Sequence, residues 1–150
     1  MDRRRFVAAS LAAGTMAALG CSATRKNPGR QNTSDLPPFE LEEATVAALQ
    51  GGMKSGWYTA RSITELYLAR IAAVDKQGPE LHSIIELNPD ALQIADALDA
   101  ERKAKGPRGP LHGIPVLVKD NIDTADRMTT TAGSLALEGS IPPEDSTVAK

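Results

Sequence analysis

Lys119 is the residue whose position in this sequence most needs a chemical explanation. It follows residues 114–118, the apolar run IPVLV, which predicts a buried β-strand that would end on a charged group. Burial disfavours the ammonium form of a lysine and lowers its pKa, so a buried amine at this point could act as a general base. Without further context, however, a lysine at the end of a strand more commonly has its amine in water.

The other polar side chains around this run fit structural roles better than catalytic ones. His112 precedes the predicted strand and is expected to be a loop histidine, whereas His82 has no acidic or cysteine partner at ligand spacing. Asp120 and Asp123 could suggest a pair of metal ligands, but aspartates in such loops more commonly cap turns. Ser134, in the segment TAGS, lacks the Gly-x-Ser-x-Gly context of a nucleophile elbow. These residues predict neither a metal nor a cofactor.

Two helices are predicted upstream of the apolar run. The first follows apolar residues at helical spacing over residues 41–49 and should stop at Gly51-Gly52. The second has an apolar stripe over residues 63–74, and either Thr59 or Ser62 could be its N-cap.

Further elements complete the predicted order. A strand is expected over residues 81–87, and a third helix opens at Asn88-Pro89 and reaches residues 101–105, whose charges should face solvent. Residues 145–150 predict the start of another helix. This order predicts an α/β fold in which helices cover a largely buried sheet. Because two strands cannot bury both faces of a sheet, we expect the sequence to be the front part of a longer protein.

The composition excludes several classes of function. Hydrophobic residues at 41% and charged residues at 24% are typical of a globular domain, and aromatics at 3% argue against base stacking. The net charge of −2 is unevenly distributed, because residues 1–30 contain six basic residues and one acid, which leaves a net charge of −7 for residues 31–150. The acidic body has no basic stripe for nucleic acid.

The basic start indicates export. Residues 1–20 combine a charged beginning with a short apolar run, the pattern of a signal peptide, and Arg3-Arg4 in RRRF resembles a twin-arginine signal. Cys21 ends the segment ALGC, which resembles a bacterial lipobox although leucine is usual where Ala18 stands. Cys21 is therefore predicted to carry a lipid; a cleaved signal peptide without lipid and an inert thiol are the alternatives. Residues 21–38 read as a flexible tether.

Several segments of the body together resemble the amidase signature family. They are residues 109–123 (GPLHGIPVLVKDNID), residues 128–134, and the upstream segments YLARI at 67–71 and NPDA at 88–91. The last six residues, DSTVAK, resemble the helix that precedes the nucleophile region in that family. The resemblance covers roughly residues 40–150. The predicted boundary between the tether (21–38) and the amidase-like body (39–150) therefore lies at residue 39.

The resemblance implies a fold, a reaction and a base. The fold would be the start of a mixed β-sheet with helices on both faces, and the reaction would be hydrolysis of amide C–N bonds by a serine–serine–lysine triad without metal or cofactor. Lys119 matches the family's lysine, whereas both serines are expected beyond residue 150. The substrate would be a small-molecule or peptide amide, and no nucleic acid partner is implied.

Three functions remain open at this point. The first is an amide hydrolase in the periplasm or cell envelope, anchored to the membrane through Cys21. The second is the catalytic component that amidates misacylated tRNA, against which the export signal argues, since charged tRNA is cytosolic. The third is a binding lipoprotein that keeps the fold without the serines.

Overall fold

The computed structural model describes residues 36–150, so the predicted signal peptide, Cys21 and most of the tether lie outside the described residues. The elements, in chain order, are helix α1 (Val46–Ser55), helix α2 (Ala60–Ile71) with a π-helical turn at its end (Ala72–Lys76), helix α3 (Ala91–Lys105) and a 3-10 turn (Leu135–Leu137). None of the helices within residues 36–150 has both the length and the apolar character needed to cross a membrane.

Helix α2 begins where one of the two predicted caps lies. The Thr59 hydroxyl accepts from the Ser62 amide at 3.0 Å, and the Ser62 hydroxyl accepts in return from the Thr59 amide at 2.9 Å. This reciprocal pair satisfies two amides that the first turn of a helix leaves without partners. Asp99 of α3 adds a second cap, since its carboxylate accepts from the Ala60 amide at 2.7 Å and from the Arg61 amide at 3.1 Å. The start of α2 is thus fixed to α3.

Helix α1 does not stop at its glycines, and that prediction was wrong. The helix begins after Thr45, whose hydroxyl accepts from the Ala48 amide at 3.1 Å, and it continues through Gly51-Gly52 to Gly56. Gly56 ends it with a φ of 78°, the left-handed conformation that a glycine adopts without strain. Gly52 is tolerated inside the helix because the ring of Tyr58 packs where its side chain would be.

Helix α3 starts slightly later than the sequence suggests. Asn88 does not cap the helix; its side-chain oxygen accepts from the Asp90 amide at 2.8 Å and closes a turn before the first helical residue, Ala91. Pro89 lies in that turn rather than in the helix. The difference is only two to three residues, because the same side chain can close either structure.

The predicted strands are absent from residues 36–150, which corrects the expectation of a sheet. Residues 81–87 and 114–118 form no ladder of backbone hydrogen bonds with each other or with another described segment. A strand exists only with a partner that accepts and donates along its length. Residues 116–118 are correspondingly exposed on both sides, with Leu117 at 75%.

The described core lies between the three helices. Ile63 of α2 is completely buried, and the other buried residues of this core come from all three helices and the segment before α1; they are Leu41, Leu49, Met53, Ala60 and Ala95. At the edge of this core the rings of Phe39 and Tyr67 meet edge to face with centroids 5.3 Å apart. The core holds the helices together as a platform for the loops that follow α3.

The last residues form one turn instead of a helix. The amides of Ala149 and Lys150 both donate to the Ser146 carbonyl, at 3.0 and 3.1 Å. Asp145 accepts from the Ala125 amide at 2.7 Å, and the Ser146 amide donates to the Asp123 carbonyl at 3.0 Å. The segment therefore rests on the loop after Lys119.

Candidate active site

The turn at residues 109–113 is clamped to two helices just before the extended run. Gln50 of α1 donates its amide to the carbonyls of Pro110, at 2.8 Å, and His112, at 3.0 Å. Arg102 of α3 donates to the same His112 carbonyl at 2.7 Å and to the Gln50 side-chain oxygen at 2.8 Å. These four bonds fix the point from which the run toward Lys119 starts.

Sequence reasoning missed this clamp and assigned Arg102 to a solvated helix end. A signal was nevertheless present, because Arg102 lies four residues after Leu98 and seven after Ala95, on the face of α3 that packs into the core. A helical residue on that face is expected to point inward whatever its charge. Gln50 carries no comparable signal, since an isolated glutamine in a helix is ordinary.

Gly113 allows the turn to lie directly on the helices. Its φ of 77° is in the left-handed region, and a Cβ there would lie 2.9 Å from the Cβ of Ala60 and 3.4 Å from the sulfur of Met53. Only glycine meets both conditions without displacing a neighbour. The expectation that Gly113 shapes the start of the run therefore has a physical basis in close backbone packing.

His112 has a structural environment. The residue is 7% exposed, its Nδ1 accepts from the Arg108 amide at 3.3 Å, and its Nε2 lies 2.9 Å from the Leu98 carbonyl. With Nδ1 accepting, Nε2 carries the proton and donates to that carbonyl. Both ring nitrogens are occupied, so His112 holds the turn against α3, as the sequence led us to expect of a satisfied loop histidine.

Lys119 lies at the end of the extended run and is exposed in the described chain. The burial expected for it depends on a sheet around residues 114–118, and no neighbouring strand is present within residues 36–150. Its carbonyl accepts from the Ile122 amide at 2.9 Å and so begins a turn. Its amine makes no hydrogen bond or ion pair with any described side chain.

Asp120, the residue directly after the candidate base, is hydrogen-bonded to a second loop. Its carboxylate accepts from the Thr131 amide at 2.9 Å and from the Thr131 hydroxyl at 2.5 Å, while its carbonyl accepts from the Ala132 amide at 2.8 Å. The Thr131 hydroxyl is the main reason that the pKa of Asp120 lies below its ordinary value. These contacts hold the backbone at Lys119 and Asp120 next to residues 131–134, the segment that contains Ser134. Asp123, by contrast, is exposed, so the two aspartates serve the loop separately.

A third set of contacts ties the loop after Lys119 to the start of α3. Arg127 donates to both carboxylate oxygens of Asp90, at 2.7 and 2.8 Å, in a two-point ion pair. Glu86 accepts from the amide and the hydroxyl of Thr129, at 2.9 and 2.8 Å. The loop of residues 120–131 thus contacts residues 86–90, which precede α3, and its last residue bonds to its first. These contacts restrain the chain after Lys119, as the clamp restrains the chain before it.

Neither His82 nor Ser134 forms a hydrogen bond with Lys119 or Asp120 in the described chain. His82 is exposed with a φ of 50°, and its amide donates to the Asp75 carbonyl at 3.1 Å. Ser134 is exposed and leads into the 3-10 turn, with its amide on the Thr131 carbonyl at 2.8 Å. Both residues take structural positions in loops.

Comparisons with known proteins agree with this arrangement. The family described as Amidase matches residues 62–150. The chain is 51% identical over 110 residues to an amidase-family protein of Schizosaccharomyces pombe, and the match covers 73% of this chain and 18% of that protein. It is 44% identical over 110 residues to the A-type component of the glutamyl-tRNA(Gln) amidotransferase of Chloroflexus aurantiacus, covering 73% of this chain and 22% of that component.

A solved structure matches both the sequence and the backbone. The native peptide amidase of Stenotrophomonas maltophilia superimposes with a TM-score of 0.67 at 52% identity, over 72% of this chain and 22% of the other. The present chain therefore spans about a fifth of the length of each of these relatives. The family match over residues 62–150 includes the turn at residues 109–113, the extended run and the loop after Lys119.

Proposed function

This chain belongs to the amidase family, and we propose that the protein containing it hydrolyses amide C–N bonds with Lys119 as the general base. The observation that carries the proposal is the restraint on either side of Lys119. The Gln50–Arg102 clamp fixes the start of the run, and Asp120 fixes its end on Thr131. Between the two, the Lys119 amine makes no hydrogen bond with any described residue, so it is free to bind groups from elsewhere in the protein.

The proposed reaction moves one proton through the lysine. The neutral amine accepts a proton from a bridging serine, which takes in turn the proton of the nucleophilic serine as that oxygen attacks the amide carbonyl. The ammonium returns the proton through the same relay to the departing nitrogen, which leaves as an amine or ammonia. Water then hydrolyses the acyl-serine by the same route. Both serines are expected beyond residue 150.

The substrate class that we propose is small-molecule or peptide amides. The likeness to the Stenotrophomonas maltophilia peptide amidase supports the peptide class. The test uses the purified full-length protein with simple carboxamides and C-terminally amidated peptides, and measures released ammonia or amine. We expect release with the wild type and none with Lys119→Ala. A folded wild-type protein that releases nothing from any of these amides would instead favour the binding lipoprotein without catalysis.

A second candidate function is amidation of misacylated tRNA. It is favoured by the 44% identity to the A-type component of the Chloroflexus aurantiacus amidotransferase. The net charge of −7 over residues 31–150 argues against direct contact with tRNA by this part of the chain. Glutamine-dependent transfer of ammonia to Glu-tRNA(Gln), measured with and without added partner proteins, separates this function from hydrolysis.

We also propose that the protein is exported to the periplasm or cell envelope and held at the membrane by a lipid on Cys21. Arg3-Arg4, the apolar run that follows and the segment ALGC support this proposal. Arg3→Lys with Arg4→Lys should leave precursor in the cytoplasm, and Cys21→Ala should abolish labelling by fatty acid. Labelling that persists in Cys21→Ala would exclude the anchor.

A further inference from the structure

Asp120 combines an unusual set of bonds with its position next to the candidate base. All of the hydrogen bonds that its carboxylate accepts come from uncharged groups of residues 131–133, and two of them come from Thr131 alone. No cation of the described chain pairs with Asp120, and Lys119, its immediate neighbour, is not in ion-pairing contact with any described carboxylate. Within the described chain, the hydrogen bonds that stabilise the Asp120 charge therefore come from the 131–133 segment.

This arrangement matters for a lysine that must lose its proton. An opposite charge nearby favours the ammonium form of a lysine and raises its pKa, commonly by about one to three units. A free carboxylate at position 120 would have that effect on its neighbour. The Asp120 carboxylate keeps its charge, but the amide and hydroxyl dipoles that point at it partly offset its negative potential at neighbouring groups.

The same bonds determine where the chain goes after the base. The Thr131 amide and hydroxyl hold the Asp120 side chain, and the Ala132 amide holds the Asp120 carbonyl at 2.8 Å. Three bonds to one residue from one short segment fix its backbone as well as its side chain. Because Lys119 is linked to Asp120 by a single peptide bond, the position of its backbone is fixed with it.

We propose that Asp120 and Thr131 form a positioning pair for the reaction: their bonds hold the Lys119 backbone in place and direct the Asp120 carboxylate to residues 131–133, which weakens its stabilisation of the Lys119 ammonium group. This inference rests on the proposed function of Lys119. It assigns Asp120 and Thr131 no contact with substrate. Thr131 is needed for its hydroxyl, so serine should replace it and valine, which has the same shape, should not.

The test measures the pH dependence of kcat and kcat/KM for the full-length protein on one amide that the wild type cleaves. Thr131→Val should lower kcat by about 10- to 100-fold with little change in KM, because a misplaced base loses rate rather than binding. The acid side of its pH profile should move to higher pH, since a carboxylate released from Thr131 favours the ammonium form. Thr131→Ser should behave as the wild type.

Two further variants keep the test decisive. Asp120→Asn with Thr131→Val should lose no more rate than either single variant, since the pair acts as a unit, and should restore the pH profile because the amide carries no charge. Asp123→Asn, an exposed aspartate three residues along the same loop, is the matched control and should leave kcat and the profile unchanged. If Thr131→Val fails to fold, Asp120→Asn alone decides: a wild-type kcat would contradict the proposal.

The outcomes separate this inference from the proposed function. Wild-type kcat and pH profile in Thr131→Val, together with an inactive Lys119→Ala, would overturn the positioning pair and leave Lys119 as the base. Activity that survives Lys119→Ala would overturn both. A melting temperature that falls in Thr131→Val without any change in the pH profile would reduce the pair to a structural link and also overturn the proposal.

Discussion

At the scale of single residues, Gly113 shows how one missing side chain places a functional segment. The turn that starts the run toward Lys119 lies against Ala60 at the buried start of α2, and its left-handed φ of 77° adds a second requirement for glycine. Close packing and backbone conformation thus select the same residue independently. The turn could not approach the helices with any other side chain.

Replacing Gly113 should therefore destabilise the protein. Gly113→Ala in the full-length protein introduces a Cβ 2.9 Å from that of Ala60, and overpacking of this kind costs about 1–3 kcal/mol in addition to the strain of the positive φ. Gly109→Ala is the control, because a Cβ there meets nothing within 4 Å. Denaturant unfolding of the two variants checks the difference; equal free energies of unfolding would contradict the packing argument.

Asp75 is a second residue whose surroundings give a testable consequence. It is 3% exposed and accepts from the Ser83 hydroxyl at 2.6 Å, from the Ser83 amide at 2.5 Å and from the Ile84 amide at 3.3 Å. The Ser83 hydroxyl is the main cause that holds its pKa well below the ordinary value. Asp75 thereby ties the turn that ends α2 to residues 83–84.

The pH dependence follows from the sign of this shift. The unfolded chain binds a proton at Asp75 near pH 4, whereas the folded protein resists it, so the stabilising contribution is complete above about pH 4 and is lost as the pH falls further. Asp75→Asn should lower the free energy of unfolding at pH 7 and flatten its decline below pH 4. Glu138→Gln, on the exposed loop, is the control. An unchanged decline in Asp75→Asn would assign the acid sensitivity to other groups.

At the scale of elements, the helices could be predicted better than their ends. The apolar stripe and Thr59 identified α2 because helical periodicity and capping are local properties. The glycines in α1 misled the prediction, since the contact between Gly52 and Tyr58, six residues further on, is visible only in the folded chain. The predicted strands are not formed in the described chain for a related reason. Residues 114–118 have the composition of a strand, but a strand also needs a partner segment, which local sequence does not reveal.

Helix α1 offers a matched pair of glycines to test this explanation. Gly51→Ala should raise the free energy of unfolding of the full-length protein by about 0.5–1 kcal/mol, because alanine favours the helix and nothing lies within 4 Å of the new Cβ. Gly52→Ala should lower it, because its Cβ would lie 2.5 Å from the Tyr58 ring. Thermal melts of both variants show whether each substitution raises or lowers the stability. Stabilisation by both substitutions would show that the Tyr58 contact is not limiting.

At the scale of the whole molecule, the described chain exposes many large apolar side chains, including those of the three residues just before Lys119. Leu117 is 75% exposed and Leu135 is 89% exposed, and both flank the loops that carry the proposed site. Monomeric proteins rarely expose contiguous apolar patches of this kind unless something else covers them. The matched part of this chain covers only about a fifth of each relative, and these side chains are expected to be covered in the full-length protein.

The 150-residue chain expressed alone should therefore associate. We expect concentration-dependent oligomers in sedimentation, strong binding of a hydrophobic dye, and no hydrolysis of any amide. Leu117→Ser should reduce the dye signal, whereas Thr147→Ser, a change at another exposed position that removes little apolar surface, should not. A monomeric chain that melts cooperatively and binds no dye would show that the exposed residues need no cover.

The central claim is that Lys119 is the base of an amide hydrolase, and Lys119→Arg in the full-length protein tests it most directly. Arginine keeps the positive charge and much of the length, but its guanidinium group does not give up a proton near neutral pH and so cannot accept one. We predict that kcat/KM falls by about 10²–10⁴-fold or more while the melting temperature stays near that of the wild type. A Lys119→Arg enzyme that retains near-normal activity on an amide cleaved by the wild type would contradict the claim.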